Sequence, residues 1–254
     1  MTGTLLEAAN LSVRFGGLRA VDEVSFTVGR REIVGLIGPN GAGKTTTFNS
    51  LCGVVRPTAG QILFDGRDLA GLEPDQIARL GIARTFQNVR LFGELSLREN
   101  IMMGAYRTGR CGLFAAMFRT RVHGRLEREA ARKADHWLDR LGLGAYRDTL
   151  ATALPFGLQR VAELARAMAS EPTLLLLDEP AAGLIEPEKQ RLAELLRAVM
   201  QESTCSILLV EHNVPLVMGL AHRVVVLDFG RKIADGLPEV VARTPAVVEA
   251  YLGV

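Results

Sequence analysis

Gly38-Pro39-Asn40-Gly41-Ala42-Gly43-Lys44-Thr45-Thr46 follows directly on the apolar run Ile33-Val34-Gly35-Leu36-Ile37. Gly-x-x-x-x-Gly-Lys-Thr after a strand is the pattern of a loop that grips nucleotide phosphates. Its glycines let the backbone turn N–H groups inward as an anion nest, Lys44 can reach the β- and γ-phosphates, and the Thr45 hydroxyl can bind Mg²⁺. A helix starting near Lys44 adds its positive dipole end. The competing reading is a plain strand-to-helix turn.

Composition bounds the rest. With 254 residues, 48% hydrophobic and 23% charged, the chain is long enough for one good core and a subdomain, but hardly for two independent enzymes. A net charge of +2 argues neither for wholesale nucleic-acid binding nor for an acidic partner. Cys52, Cys111 and Cys205 are far apart in apolar stretches and form no Cys-x-x-Cys pair, so they read as reduced core residues. No disulfide or zinc site is indicated. The start, Met1-Thr2-Gly3-Thr4-Leu5-Leu6-Glu7, has no basic leader followed by an apolar run, and no apolar stretch approaches the ~20 residues of a membrane span. A cytosolic protein is expected, touching a membrane only through a partner.

The first part of the chain alternates like strands. Leu11, Val13 and Phe15 share one face, Val24, Phe26 and Val28 another, and Ile33 to Ile37 suits a buried parallel strand. After the phosphate loop a helix runs to about Cys52, then a turn at Arg56-Pro57-Thr58-Ala59-Gly60, then a short strand over Gln61 to Phe64. From about 97 to 168 helical periodicity dominates. Arg107, Arg110, Arg119, Arg121, Arg125, Arg128, Arg132 and Lys133 there outnumber Glu127 and Glu129, reading as a solvated face or as a surface toward another protein or anionic headgroups. Strand character returns at Leu174–Leu177, Ser206–Val210 and Arg223–Leu227, with a helix over Glu188 to Met200. Such alternation implies a parallel sheet covered by helices.

Two features sit where that sheet would put chemistry. Thr173-Leu174-Leu175-Leu176-Leu177-Asp178-Glu179-Pro180 is an apolar strand ending in two carboxylates, which packing alone does not favour because an unpaired buried carboxylate is costly. Beside bound phosphates Asp178 can hold the metal through water, and Glu179 can polarise the water that attacks the γ-phosphate. The bland alternative is a strand end emerging into solvent. Val210-Glu211-His212 ends another apolar strand, so His212 can donate to the γ-phosphate or orient the water. His123, His136 and His222 read as structural.

The order of phosphate loop, Gln87, Leu154-Pro155-Phe156-Gly157-Leu158-Gln159-Arg160, the Leu-Leu-Leu-Leu-Asp-Glu-Pro run and His212 resembles the ATP-binding subunit of an ABC transporter over essentially the whole chain. Ala83-Arg84-Thr85-Phe86-Gln87-Asn88-Val89-Arg90-Leu91-Phe92, Pro180-Ala181-Ala182-Gly183-Leu184 and Val248-Glu249-Ala250-Tyr251-Leu252-Gly253 look like the larger ATPase subunit of branched-chain amino acid importers. Urea, short-amide and lipopolysaccharide systems are similar. The resemblance implies an α/β phosphate-loop (RecA-like) fold: a mostly parallel sheet, an N-terminal antiparallel β part and an inserted helical subdomain. It implies one domain over 1–254, with the nucleotide-binding core at 1–90 and 170–254 and the helical part at 91–169.

By the same resemblance Phe15 stacks on adenine, against the alternative of a core strand Phe, and Gln87 touches Mg²⁺ and the attacking water. ATP and Mg²⁺ are the implied cofactors, with Thr45, Gln87 and Asp178 around the metal and Glu179, His212 and Gln87 as catalytic groups. Leu154 to Gln159 forms the signature segment, presented to the ATP of a second ATPase subunit, a paralogue or another copy. Transmembrane permease subunits are implied as partners, a solute-binding protein indirectly, and nucleic acid not at all. The chain would then lie on the inner face of the plasma membrane, held by the permease.

The sequence departs from the family at two places. Leu154-Pro155-Phe156-Gly157-Leu158 lacks the usual signature serine and one glycine, and Pro155 has no N–H. Ile185 replaces a usual Asp or Asn. This chain's own site looks complete, whereas the segment offered to a partner looks weakened. A regulatory subunit without turnover is the rival reading, opposed by intact Glu179 and His212. A kinase or GTPase would need motifs such as Asn-Lys-x-Asp, which are not found.

Overall fold

The computed structural model describes residues 3–87, 89–106 and 121–252, without the side chains of 121–123 and 252. Arg107, Arg110, Arg119, Cys111, Asn88 and Gly253 lie outside the described residues, as do the side chains of Arg121 and His123. The chain divides into two compact units, one of Met1–Arg84 with Thr173–Val254, the other Thr85–Pro172.

In the first unit, β1 (Thr4–Phe15) and β2 (Leu18–Gly29) pair as an antiparallel hairpin closed at Phe15 opposite Leu18. Leu11, Val13, Val24, Phe26 and Val28 are buried in it, as their alternation requires. Phe15 departs from that row: at the strand's end it is 52% exposed, so the core-Phe alternative is overturned. β3 (Ile33–Ile37) is buried at every position, then comes α1 (Lys44–Leu51). β4 (Ala59–Phe64) and β5 (Arg67–Asp68) complete a sheet ordered β2-β1-β4-β5. α2 (Pro74–Arg79) and β6 (Ile82–Arg84) follow.

The second unit holds α3 (Leu97–Ala105), α4 (Arg121–Arg140) and α5 (Phe156–Ala169). α3 starts where Ser96 and Glu99 cap each other, Ser96 Oγ accepting from Glu99 N–H at 3.2 Å and Glu99 Oε2 from Ser96 N–H at 2.8 Å.

Back in the first unit are β7 (Leu174–Asp178), α6 (Glu186–Glu202), β8 (Ser206–Val210), α7 (Val214–Leu220), β9 (Arg223–Asp228), β10 (Arg231–Gly236), α8 (Pro238–Val241) and α9 (Pro245–Leu252). The second sheet runs β10-β9-β3-β8-β7-β6, parallel from β9 to β6 with β10 antiparallel at its edge. Val34, Leu36, Leu174, Leu176, Leu208, Val210, Val225 and Leu227 turn one face of this sheet into a shared core with Phe48, Leu51 and the first sheet. On the other face α7 approaches β3 so closely that a Cβ on Gly35 would lie 2.3 Å from Val217 Cγ1. In such a sheet, ligands sit at the carboxyl ends of the strands. Among the described residues no helix is long and apolar enough to cross a membrane.

Candidate nucleotide site

β3 runs directly into the phosphate loop, where the protein's own backbone requires Gly38 and Gly43. A Cβ on Gly38 would lie 2.1 Å from Leu227 O, and one on Gly43 (φ 94°) 2.4 Å from Ala20 O. The loop closes on itself through Ala42 N–H to Pro39 O at 3.2 Å and is tied to the β9–β10 turn by Gly230 N–H to Ala42 O at 3.2 Å. Lys44 is buried, and its Nζ donates to Gly38 O at 2.7 Å and Pro39 O at 2.8 Å. Burial lowers its pKa, opposed by the charge of Glu179, which therefore stands within electrostatic reach of the loop lysine. Thr45, next along, is exposed.

β7 delivers Asp178 and Glu179. Asp178 is buried, and Arg84 Nη2 at the end of β6 donates to its Oδ2 at 2.7 Å. Arg84 Nη1 also donates to Asn49 Oδ1 at 2.8 Å, so one guanidinium joins β7 to α1. Glu179 has a left-handed backbone, φ 48°, and its Oε1 lies 2.7 Å from His212 Nε2. An ionised Glu179 can only accept, so Nε2 carries the hydrogen of that bond. His212 itself is exposed on its outer side.

Glu211, which sequence reasoning passed over in favour of its neighbour, is buried and accepts from Ala181 N–H at 2.7 Å and His212 N–H at 3.0 Å. Arg84 was likewise visible only as part of a motif. Neither shows a local spacing signal for its distant partner, because Asp178 for Arg84 and Ala181 for Glu211 are brought up by tertiary structure.

The other predicted residues are placed separately. Gln87 belongs to the helical unit, where its carbonyl accepts from Arg160 Nη2 at 2.5 Å. Leu154 is buried there and its carbonyl accepts from Gln159 Nε2 at 2.8 Å, while Pro155 is the N-cap of α5 and Phe156 is exposed with the Arg160 guanidinium 5.2 Å from its ring centre. Gly157 and Leu158 lie in the first turn of that helix. Ile185, the other departure, caps α6 with a side chain 65% exposed, its N–H donating to Glu188 Oε2 at 3.0 Å. His222 is structural: its Nδ1 accepts from Ile33 N–H at 2.9 Å. His136 packs edge-on to Trp137 with ring centres 5.1 Å apart. Cys52 and Cys205 are free and buried, and burial pushes their thiols up to about 11 and about 12.

Residues 21–182 match the family described as ABC transporter. Over 253 residues, covering 100% of this chain and 99% of each relative, the sequence is 45% identical to the high-affinity branched-chain amino acid transport ATP-binding protein LivG of Salmonella typhimurium and 44% identical to BraF of Pseudomonas aeruginosa. The structure is similar to the ADP conformation of MJ1267, an ATP-binding cassette of an ABC transporter, with TM-score 0.86 and 28% identity over 100% of both chains. The phosphate loop at the end of β3, the mostly parallel sheet beneath it and the full-length similarity agree: this chain belongs to the ABC transporter family and is one of its ATP-binding, ATP-hydrolysing cassettes.

Proposed function

We propose that this cassette powers a membrane importer of branched-chain amino acids, and that hydrolysis is carried out by Glu179 with His212. The observation that carries the catalytic part is the 2.7 Å contact between Glu179 Oε1 and His212 Nε2 at the strand ends beside Lys44. Glu179 accepts the proton of the attacking water, and His212, donating from Nε2, holds the carboxylate in place. The loop amides and Lys44 Nζ, exchanging Gly38 O and Pro39 O for phosphate oxygens, bind the triphosphate. Phe15, exposed at the end of β1, stacks on adenine.

The residues fit Mg²⁺ rather than a metal that needs a protein cage. Among the described residues no three His, Cys, Asp or Glu side chains form such a group, whereas the Thr45 hydroxyl and the Asp178 carboxylate are hard oxygen donors suited to an ion that keeps phosphates and waters as its other ligands. Bound there, the ion neutralises phosphate charge.

A second cassette completes the site. The first-turn amides of α5, after Leu154-Pro155, face the γ-phosphate held by the partner, so the dimer closes with ATP and opens when the phosphate leaves. Permease subunits convert that cycle into transport and hold the chain at the inner face of the plasma membrane, with a solute-binding protein delivering cargo to them. The similarity to LivG and BraF supports the choice of cargo. Reconstitution with its permease and partner cassette should give ATP-dependent leucine, isoleucine or valine uptake. Uptake of urea or an amide instead would overturn the cargo and leave the ATPase reading standing.

A further inference from the structure

The parallel ladder between β7 and β8 runs to Asp178 opposite Val210 and makes one bond more, Glu179 N–H to Val210 O at 2.8 Å. It goes no further, because Glu179 turns left-handed (φ 48°) and Pro180 has no N–H. Where the two chains part, the Glu211 carboxylate fills the gap. Oε1 accepts from Ala181 N–H at 2.7 Å, and Oε2 from His212 N–H at 3.0 Å and Asn213 N–H at 3.3 Å. Glu211 is only 3% exposed, so these charge-assisted bonds take the place of its hydration. The amides it gathers belong to two loops, one carrying Glu179 and the other carrying His212.

A non-glycine residue in the left-handed region is strained and persists only where its surroundings fix it. We propose that Glu211 is a positioning residue for ATP hydrolysis: by clamping Ala181 N–H to the His212 and Asn213 amides it keeps Glu179 in its strained turn and Glu179 Oε1 against His212 Nε2. The inference rests on the reading of Glu179 as the group that activates water. Glu211 itself is covered and acts only through the two loops. A glutamine there would offer one acceptor oxygen and one NH₂ to amides that all donate, releasing one loop. An aspartate keeps the charge but is one methylene too short to bridge both loops.

The test uses the full-length chain with its partner cassette, reading binding of a fluorescent ATP analogue and single-turnover ATP hydrolysis. Glu211→Gln should bind the analogue within about threefold of wild type and hydrolyse ATP about 10²-fold more slowly, the scale expected when reacting groups are misplaced by an ångström. In a Glu179→Gln background Glu211→Gln should add no further loss, since it acts through a group already removed. If Glu211→Gln does not fold, Glu211→Asp is read by the same division between binding and turnover. Lower thermal stability with wild-type turnover in the folded fraction, or losses that multiply with Glu179→Gln, would overturn the proposal. Wild-type turnover in Glu179→Gln alone would instead overturn the reading on which it rests.

Discussion

Arg84 Nη2 lies 2.7 Å from Asp178 Oδ2 across 94 residues of sequence, and the same guanidinium reaches Asn49. One cation thus neutralises the carboxylate ending β7 and ties it to the helix that opens with Lys44 and Thr45. Breaking a buried pair from one side costs about 3–5 kcal/mol, because the remaining charge has lost its partner. Arg84→Met should lower the unfolding free energy by that order in urea denaturation, and Asp178→Asn by less, since the amide oxygen still accepts from Arg84. A change below about 1 kcal/mol in Arg84→Met, the scale of exposed pairs, would contradict this.

The phosphate-loop glycines should not be equivalent. Gly38→Ala and Gly43→Ala drive a Cβ into backbone oxygens 2.1 and 2.4 Å away, whereas a Cβ on Gly41 (φ 82°) meets nothing within 4 Å. Gly41→Ala carries only the left-handed backbone penalty, about 1–2 kcal/mol. Titration with an ATP analogue should show binding weakened by more than ~10²-fold for the first two and by about tenfold for Gly41→Ala. Equal losses at all three would mean that ligand contact, not backbone approach, sets the requirement.

Burial raises the pKa of Glu163 in the helical unit, partly offset by the Phe86 amide and then by Arg166 and Arg160. The folded chain therefore keeps this proton at pH values where the unfolded carboxyl, near 4.5, has lost it. Its contribution to stability is present below that value and is lost as pH rises through the raised folded pKa. Glu163→Gln, always neutral, should remove this part of the pH dependence. Chemical denaturation from pH 4.5 to neutrality should show a steeper fall for wild type than for the variant; parallel curves would refute it.

Pro155 caps α5 with no side-chain acceptor for the first-turn amides. Pro155→Ser should stabilise the chain by about 1 kcal/mol through a serine cap. It also restores a hydroxyl and an N–H to the segment proposed to face the partner's ATP. Light scattering of ATP-bound dimers in a Glu179→Gln background should show tighter association; unchanged association would mean that Pro155 does not weaken the signature.

The strands that position the site were legible because each signal is local. Ile33–Ile37, Leu174–Asp178 and Ser206–Val210 are short apolar runs, and glycines mark the loop after the first. What sequence could not show is which side chain answers which. Arg84 sits on β6, only three residues long and without periodicity, and its partners stand on α1 and β7. Nothing in Val210-Glu211-His212 marks Glu211 as the carboxylate that joins the two loops. Phe15 kept the alternation of Leu11 and Val13 yet is exposed, because alternation fixes a face and not how far the core extends along it. The turn strain at Glu179 had no signature at all, since the residue is not a glycine.

Glu179→Gln is the most direct test of the site. The substitution keeps size and the contact with His212 but removes the basic oxygen. With its partner cassette, the variant should bind ATP within about threefold of wild type and hydrolyse it at least ~10²-fold more slowly in a single turnover, the scale of a lost general base. Hydrolysis at the wild-type rate, with ATP bound, would contradict the assignment of Glu179 as the group that activates water.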